Sequence, residues 1–171
     1  AKDDTLRVRK LLDTGVPNVL GDIVNSAIVS TTGALYRAAP SDKLEGTTKY
    51  DAYITAQKAK PKMLYVGAND GMLHAFNATT GAEVFAYIPT GVKKTLNLLT
   101  ARNYATSHRY FVDGTPVVSD VYFGDEWHKV LVGNMGAGGR QIFALDITDP
   151  ENPRLLWEFG SDNDADVGYT V

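Results

Sequence analysis

Three groups of residues in this chain could do chemistry, and their spacing limits what each can do. The first is the glycine-rich run Gly133-Asn134-Met135-Gly136-Ala137-Gly138-Gly139-Arg140. A phosphate cradle needs Gly-x-x-x-x-Gly-Lys-Ser/Thr between strand and helix, or Gly-x-Gly-x-x-Gly opening a helix. Here the β-prone Ile142-Phe143-Ala144-Leu145 follows with no Lys-Ser/Thr, so the run reads as a wide hairpin connection whose glycines admit positive φ. The second is Ser161-Asp162-Asn163-Asp164-Ala165-Asp166-Val167-Gly168. Asp162, Asp164 and Asp166 alternate as calcium ligands can, but Val167 stands where a calcium loop wants glycine and no closing acid follows. A solvated turn is the expectation, with a calcium loop as the alternative. The third is the histidines His74, His108 and His128, none of which has a second ligand at the spacing of a metal site. Asp113-Gly114 reads as turn chemistry, and Asp120 lies in a β-prone run. No Ser-His-Asp or paired-carboxylate arrangement can be assembled, so the expected catalytic, cofactor and metal residues are none.

The elements that would position these groups come as an internal repeat. Met63-Leu64-Tyr65-Val66-Gly67, Met72-Leu73-His74-Ala75-Phe76 and Ala82-Glu83-Val84-Phe85-Ala86-Tyr87-Ile88 are three β-prone runs joined by Asn-Asp-Gly and Thr-Gly turns. Lys129–Gly133, Gln141–Ile147 and Arg154–Phe159 repeat the plan, with Ala75-Phe76-Asn77 matching Ala144-Leu145-Asp146 and Phe85 in the place of Trp157. A first strand precedes each copy, Asn25–Ser30 and Gly114–Phe123. Four antiparallel strands per unit make a propeller blade. The fold class is therefore all-β: a β-propeller fragment with two four-stranded antiparallel blades and short helical insertions. The whole chain, 1–171, is read as part of one propeller: blade one over about 21–89 with an insertion at 31–62, a connection at 90–111, blade two over about 112–160, and the next blade starting at 168–171. Its last residues stop inside a β-prone segment, which reads as a cut edge.

The insertion carries a predicted helix around Thr48–Lys60, opened by a capping box of Thr48 and Asp51, with Tyr50, Tyr53 and Ile54 on one face. The connection carries a second candidate helix with Leu96, Leu98 and Leu99 as its apolar residues. Their lengths suit recognition, but a local lid over blade edges is the plainer reading. An apolar fraction of 44% with 22% charged residues is that of a globular chain, and the net charge of −3 with scattered Lys and Arg makes nucleic acid a poor partner. Cysteine is absent, so no disulfide or thiol chemistry is available. Nothing approaches the roughly 20 apolar residues of a membrane span, and the start lacks the features of a signal peptide.

With the repeat laid out, several strings resemble the C-terminal domain of the PilC/PilY family of type IV pilus biogenesis factors and adhesins. They are Leu20-Gly21-Asp22-Ile23-Val24-Asn25-Ser26, Tyr65 through Phe76, His108-Arg109-Tyr110-Phe111-Val112-Asp113-Gly114-Thr115-Pro116, Leu131 through Asp146, and Leu156-Trp157-Glu158-Phe159 with Asp164 through Thr170. The resemblance implies an exported, non-enzymatic binding and assembly module at the pilus tip or outer membrane of a Gram-negative bacterium. It implies roles in pilus biogenesis, retraction control and surface adhesion, with pilus subunits or minor pilins and surface or host-cell ligands as partners. It also implies calcium in a later blade, outside this segment, and no cofactor within it. Ala27 departs from the small polar residue and Pro expected there. Two rival readings share the repeats: a periplasmic propeller scaffold for outer-membrane protein assembly, and a quinoprotein-type dehydrogenase. Ala75–Phe85 resembles the quinoprotein repeat, but with Asn77 and Phe85 for its Asp and Trp; that motif packs blades and says nothing of cofactor.

Overall fold

Asn77 and Asp146 each close a turn at the end of a third strand, and the two sheets of the fold are built around them. Asn77 Oδ1 accepts the Thr79 and Thr80 N–H groups at 2.9 and 3.1 Å. Asp146 Oδ1 accepts the Thr148 N–H at 3.0 Å and the Thr148 hydroxyl at 2.6 Å. A computed structural model describes residues 6, 7 and 19–170. The first sheet is β1 (Val29–Thr31), β2 (Met63–Ala68), β3 (Met72–Asn77) and β4 (Glu83–Tyr87), and the second is β5 (Val117–Phe123), β6 (Glu126–Asn134), β7 (Gln141–Asp146) and β8 (Arg154–Gly160). Both are antiparallel with strand order following the chain, as the repeat predicts.

The repeat extends to the irregularities. A register shift falls between Ala75 and Phe76 in one sheet and between Ala144 and Leu145 in the other. Phe85 pairs with Ala75 and Trp157 with Ala144, so the two aromatics hold equivalent positions. The second strands are equivalent too, but offset by one from the alignment of their Val-Gly pairs. Tyr65 lies opposite Ala75 whereas Val132 lies opposite Ala144, which matches Tyr65 to Val132 rather than to Leu131.

Both first strands are shorter than expected, because their leading residues spend their backbone elsewhere. The Asn25 N–H goes to Asp113 Oδ1 at 3.2 Å and the Ala27 N–H to Thr115 Oγ1 at 2.9 Å, so β1 begins only at Val29. Pro116 has no N–H to give, and β5 begins after it. The expected strand at 168–171 is not formed over its described residues; Thr170 instead accepts the Gly136 N–H on its hydroxyl at 3.1 Å.

The blades meet face to face. Met63, Tyr65, Leu73 and Ala75 of the first sheet and Leu131, Phe143 and Leu145 of the second form one buried cluster, sealed by Phe85 and Tyr87. Tyr87 lies 5.0 Å from Phe143 and Phe85 lies 6.2 Å from Tyr65, ring to ring. Among the described residues the equivalent aromatics of the second blade are left partly uncovered: Trp157 is 43% exposed and Phe159 42%, with Leu155 beside them at 51%.

The insertion folds as two helices, α1 (Ala38–Glu45) and α2 (Tyr50–Lys58). The first has none of its residues buried, so no apolar stripe announces it in the sequence, and Gly46 at φ 67° ends it. It also corrects the capping box. Neither Thr48 nor Asp51 caps α2; Lys49 is the N-cap, and Asp42 on α1 accepts the Tyr50 N–H at 3.0 Å. In the connection the expected helix is replaced by three short 3₁₀ turns, Thr90–Val92, Leu96–Thr100 and Tyr104–Thr106. Leu96 covers Gly71, which sits at φ 94° and leaves room for it only by lacking a Cβ.

The insertion is a lid, and it closes on the other blade. Tyr50 and Tyr53 pack on Trp127 of β6, ring centroids at 4.4 and 6.3 Å. Asp120 of β5 accepts the Leu35 N–H (2.6 Å) and the Tyr50 and Tyr53 hydroxyls (2.7 Å each), and pairs with Lys129 Nζ at 2.6 Å. Its side chain is 0% exposed and that of Lys129 5%.

Two outcomes follow for stability, both measured by urea unfolding. Phe143→Ala is expected to cost about 3–5 kcal/mol, whereas Trp157→Ala, on the uncovered face, should cost far less and reduce self-association in sedimentation. Asp120→Ala, which leaves a buried ammonium and two hydroxyls without their acceptor, is expected to cost about 3–5 kcal/mol.

Candidate functional site

A groove of about 470 Å³ lies at the seam where the connection meets the second blade, and two of the three residue groups singled out by chemistry converge on it. One wall is the start of the connection, with Thr90, Gly91, Lys94 and Thr95; the other is Met135 and Gly139 to Gln141, with Glu158 and Gly160 to Asn163. Its floor is already hydrogen-bonded. Gln141 accepts the Gly91 N–H at 2.7 Å and donates to Thr90 Oγ1 at 2.9 Å. Glu158 accepts the Tyr87 hydroxyl at 2.5 Å, the Thr90 N–H at 2.8 Å and the Thr90 hydroxyl. Burial raises the Glu158 pKa, but these bonds outweigh it and hold the carboxyl below its ordinary value. This groove is thus a stitched seam between the blades.

The glycine-rich run is a turn, as expected, and its Arg140 builds the neighbouring acidic loop. Gly136–Gly138 forms one 3₁₀ turn, with Gly136 at φ 52°, and the chain returns as β7. A side chain at Gly138 would meet the Phe111 backbone, so close approach requires glycine there too. The Arg140 guanidinium donates to the carbonyls of Ala165 and Val167, so the acidic loop folds around a cation supplied by the protein. Within that loop Asn163 Oδ1 accepts the Gly160 N–H at 3.0 Å and Asp164 Oδ1 the Asp166 N–H at 2.9 Å, which is turn chemistry. Asp162 is exposed and lies 3.5 Å from Lys94. The three carboxylates do not converge: among the described residues no group of three His, Cys, Asp or Glu is placed to hold a metal ion.

Each histidine is joined to a carboxylate, a link that sequence spacing does not reveal. His74, in β3 and buried, sets Nε2 3.0 Å from Asp70 Oδ2 and Nδ1 2.5 Å from Glu83 Oε1. Burial lowers its pKa, but the bonds to Asp70 and Glu83 prevail and raise it above the ordinary 6.5. His108 Nε2 lies 2.7 Å from Asp22 Oδ2, and His128 Nδ1 lies 2.9 Å from Asp146 Oδ2 while its ring stacks on Phe123 at 3.9 Å. Asp113 corrects the sequence reading. Rather than serving its own turn it is buried and holds the segment leading into β1, accepting the Asn25 N–H and, at 2.5 Å, the Asn25 amide. For Asp120, burial raises the pKa, but Lys129, the Leu35 N–H and the two tyrosines outweigh it and lower the value below 3.8. The stability it supplies is therefore present above pH 3.8 and is lost as pH falls through its lowered folded value.

Paired blades with these turn residues match a known architecture. The model of the PilY1 β-propeller domain matches residues 20–170. The chain belongs to the PilY1 β-propeller family. It is 47% identical over 154 residues to the type IV pilus biogenesis factor PilY1 of Pseudomonas aeruginosa strain PAO1, covering 90% of this chain and 13% of that protein. It is 44% identical over 160 residues to a PilY1 homolog of Xylella fastidiosa, covering 89% and 11%. The crystal structure of the P. aeruginosa PilY1 C-terminal domain superposes with a TM-score of 0.68 at 43% identity, covering 82% of this chain and 27% of that one. The chain thus spans about an eighth of the length of P. aeruginosa PilY1. Among the described residues no helix is long and apolar enough to cross a membrane.

Calorimetric titration of calcium into the chain should show binding no tighter than about millimolar, unchanged by Asp164→Ala. Micromolar affinity abolished by that substitution would make the acidic loop a metal site.

Proposed function

We propose that this chain is a binding and assembly module of a type IV pilus protein, working without catalysis in pilus biogenesis, retraction control and surface attachment. Near-half identity to proteins named type IV pilus biogenesis factor PilY1, sustained over nine-tenths of the chain, carries this reading. The use made of the titratable groups supports it. His74, His108, His128, Asp113, Asp120 and Glu158 each join separate parts of the fold and bond groups of the protein itself. Such a body suits a rigid surface carried by a larger assembly, with pilus subunits or minor pilins as its partners at the pilus tip or outer membrane. Surface or host-cell ligands are further partners of this module, and calcium is assigned to a later blade outside these residues.

The test is an in-frame chromosomal deletion of the codons for 21–160, with export of the parent protein followed by immunoblot. Surface pilin and attachment are expected to fall together while the shortened protein is still exported. Unchanged piliation and attachment in that strain would overturn the proposal.

A further inference from the structure

His74 is placed so that only its cationic form satisfies both sides of its ring. Nε2 faces both oxygens of Asp70, at 3.1 and 3.0 Å, and Nδ1 faces Glu83 Oε1 at 2.5 Å. A neutral imidazole has one N–H and one lone pair, so one of its nitrogens would point a lone pair at a carboxylate. An imidazolium donates to both. His74 is 3% exposed, with Phe76 stacked beside it at 5.9 Å, so water cannot readily replace the buried Asp70.

The two carboxylates differ in what else holds them. Asp70 is 6% exposed and accepts the Gly21 N–H at 2.6 Å and the Met72 N–H at 3.2 Å, which ties the segment leading into the first blade to the β2–β3 turn. Glu83 has a side chain 46% exposed, and it opens β4 where the pairing with β3 is already shifted. The neighbouring Asp22 is turned to His108 and Asn69, so Asp70 and Glu83 are the charged groups that meet the ring from the turn, the leading segment and β4.

We propose that His74 is a proton-held clasp: as an imidazolium it ties Glu83 at the start of β4 to Asp70 in the β2–β3 turn, and loss of the Nδ1 proton frees Glu83 into water. Asp70 keeps the remaining N–H and its two backbone donors, so release is confined to the leading end of β4. That end lies two residues before Phe85, one of the aromatics that seal the contact with the second blade. The direction is fixed by linkage. The folded state holds this proton more tightly than the unfolded chain, so the clasp is fully closed below pH 6.5 and opens as pH rises through the raised folded value.

Long-range ¹⁵N–¹H spectra of the whole chain, titrated from about pH 5 to about pH 10, test the proposal in the native protein. Both ring nitrogens of His74 are expected to carry protons at neutral pH. Glu83→Gln, at a half-exposed position that tolerates the change, should lower the midpoint by about one unit or more. Hydrogen-exchange protection at Val84 and Phe85 should drop several-fold above the native midpoint, while Tyr65 in β2 keeps its protection. A single neutral tautomer at neutral pH, a midpoint unmoved by Glu83→Gln, or protection indifferent to the titration would each overturn the clasp.

Discussion

A carboxylate buried without an acceptor's full complement of donors is among the costliest features a fold can carry, and here the Asp120 side chain collects four. One comes from Leu35 in the insertion, two from the tyrosines of α2 and one from Lys129 on the adjacent strand. None of the insertion donors could reach it unless the two sheets were already stacked and the insertion laid across them. The apolar seam between the blades and the polar latch above it therefore require each other: burial of Phe143 and Tyr65 brings the strands together, and Asp120 fixes where the insertion lands.

The histidines and acids show the same economy of charge. Asp22 meets His108 from the other side of the connection, Asp113 holds the entry to β1, and Asp146 gathers His128, Arg154 and its own turn. A four-stranded blade has few ways to fix the loops at its ends, because its ladders satisfy only the strands. Buried side-chain pairs take over that task. In doing so they bring together residues that a search for catalytic groups also looks for.

The strands, their order and the two turn-closing residues were legible because alternation, β-branched and aromatic content and turn chemistry are local signals. Phe85 and Trp157 could be matched from spacing alone, and their pairing with Ala75 and Ala144 agrees. What escaped was set by tertiary partners. Asn25 and Ala27 look like strand residues, yet their N–H groups go to side chains 88 positions away. Thr48 and Asp51 have the spacing of a capping box, but Asp42 of α1 accepts the first N–H of α2, and α1 carries no apolar stripe to reveal it. The link between His74 and Glu83 depends on β4 returning beside β3, which no spacing of ligands encodes.

Repeat folds are usually modular, since a unit that touches only its neighbours can be copied, lost or exchanged with little disturbance. The lid ties this pair more closely than stacking alone. It belongs to the first blade by sequence but docks on Tyr122, Trp127, Asp120 and Lys129 of the second. A first blade transplanted alone would carry two tyrosine hydroxyls and an aromatic face with nowhere to settle, and a second blade transplanted alone would bare a buried ion pair. The smallest unit that could be duplicated, shuffled or grafted with the Tyr50, Tyr53 and Asp120 contacts intact is therefore the pair.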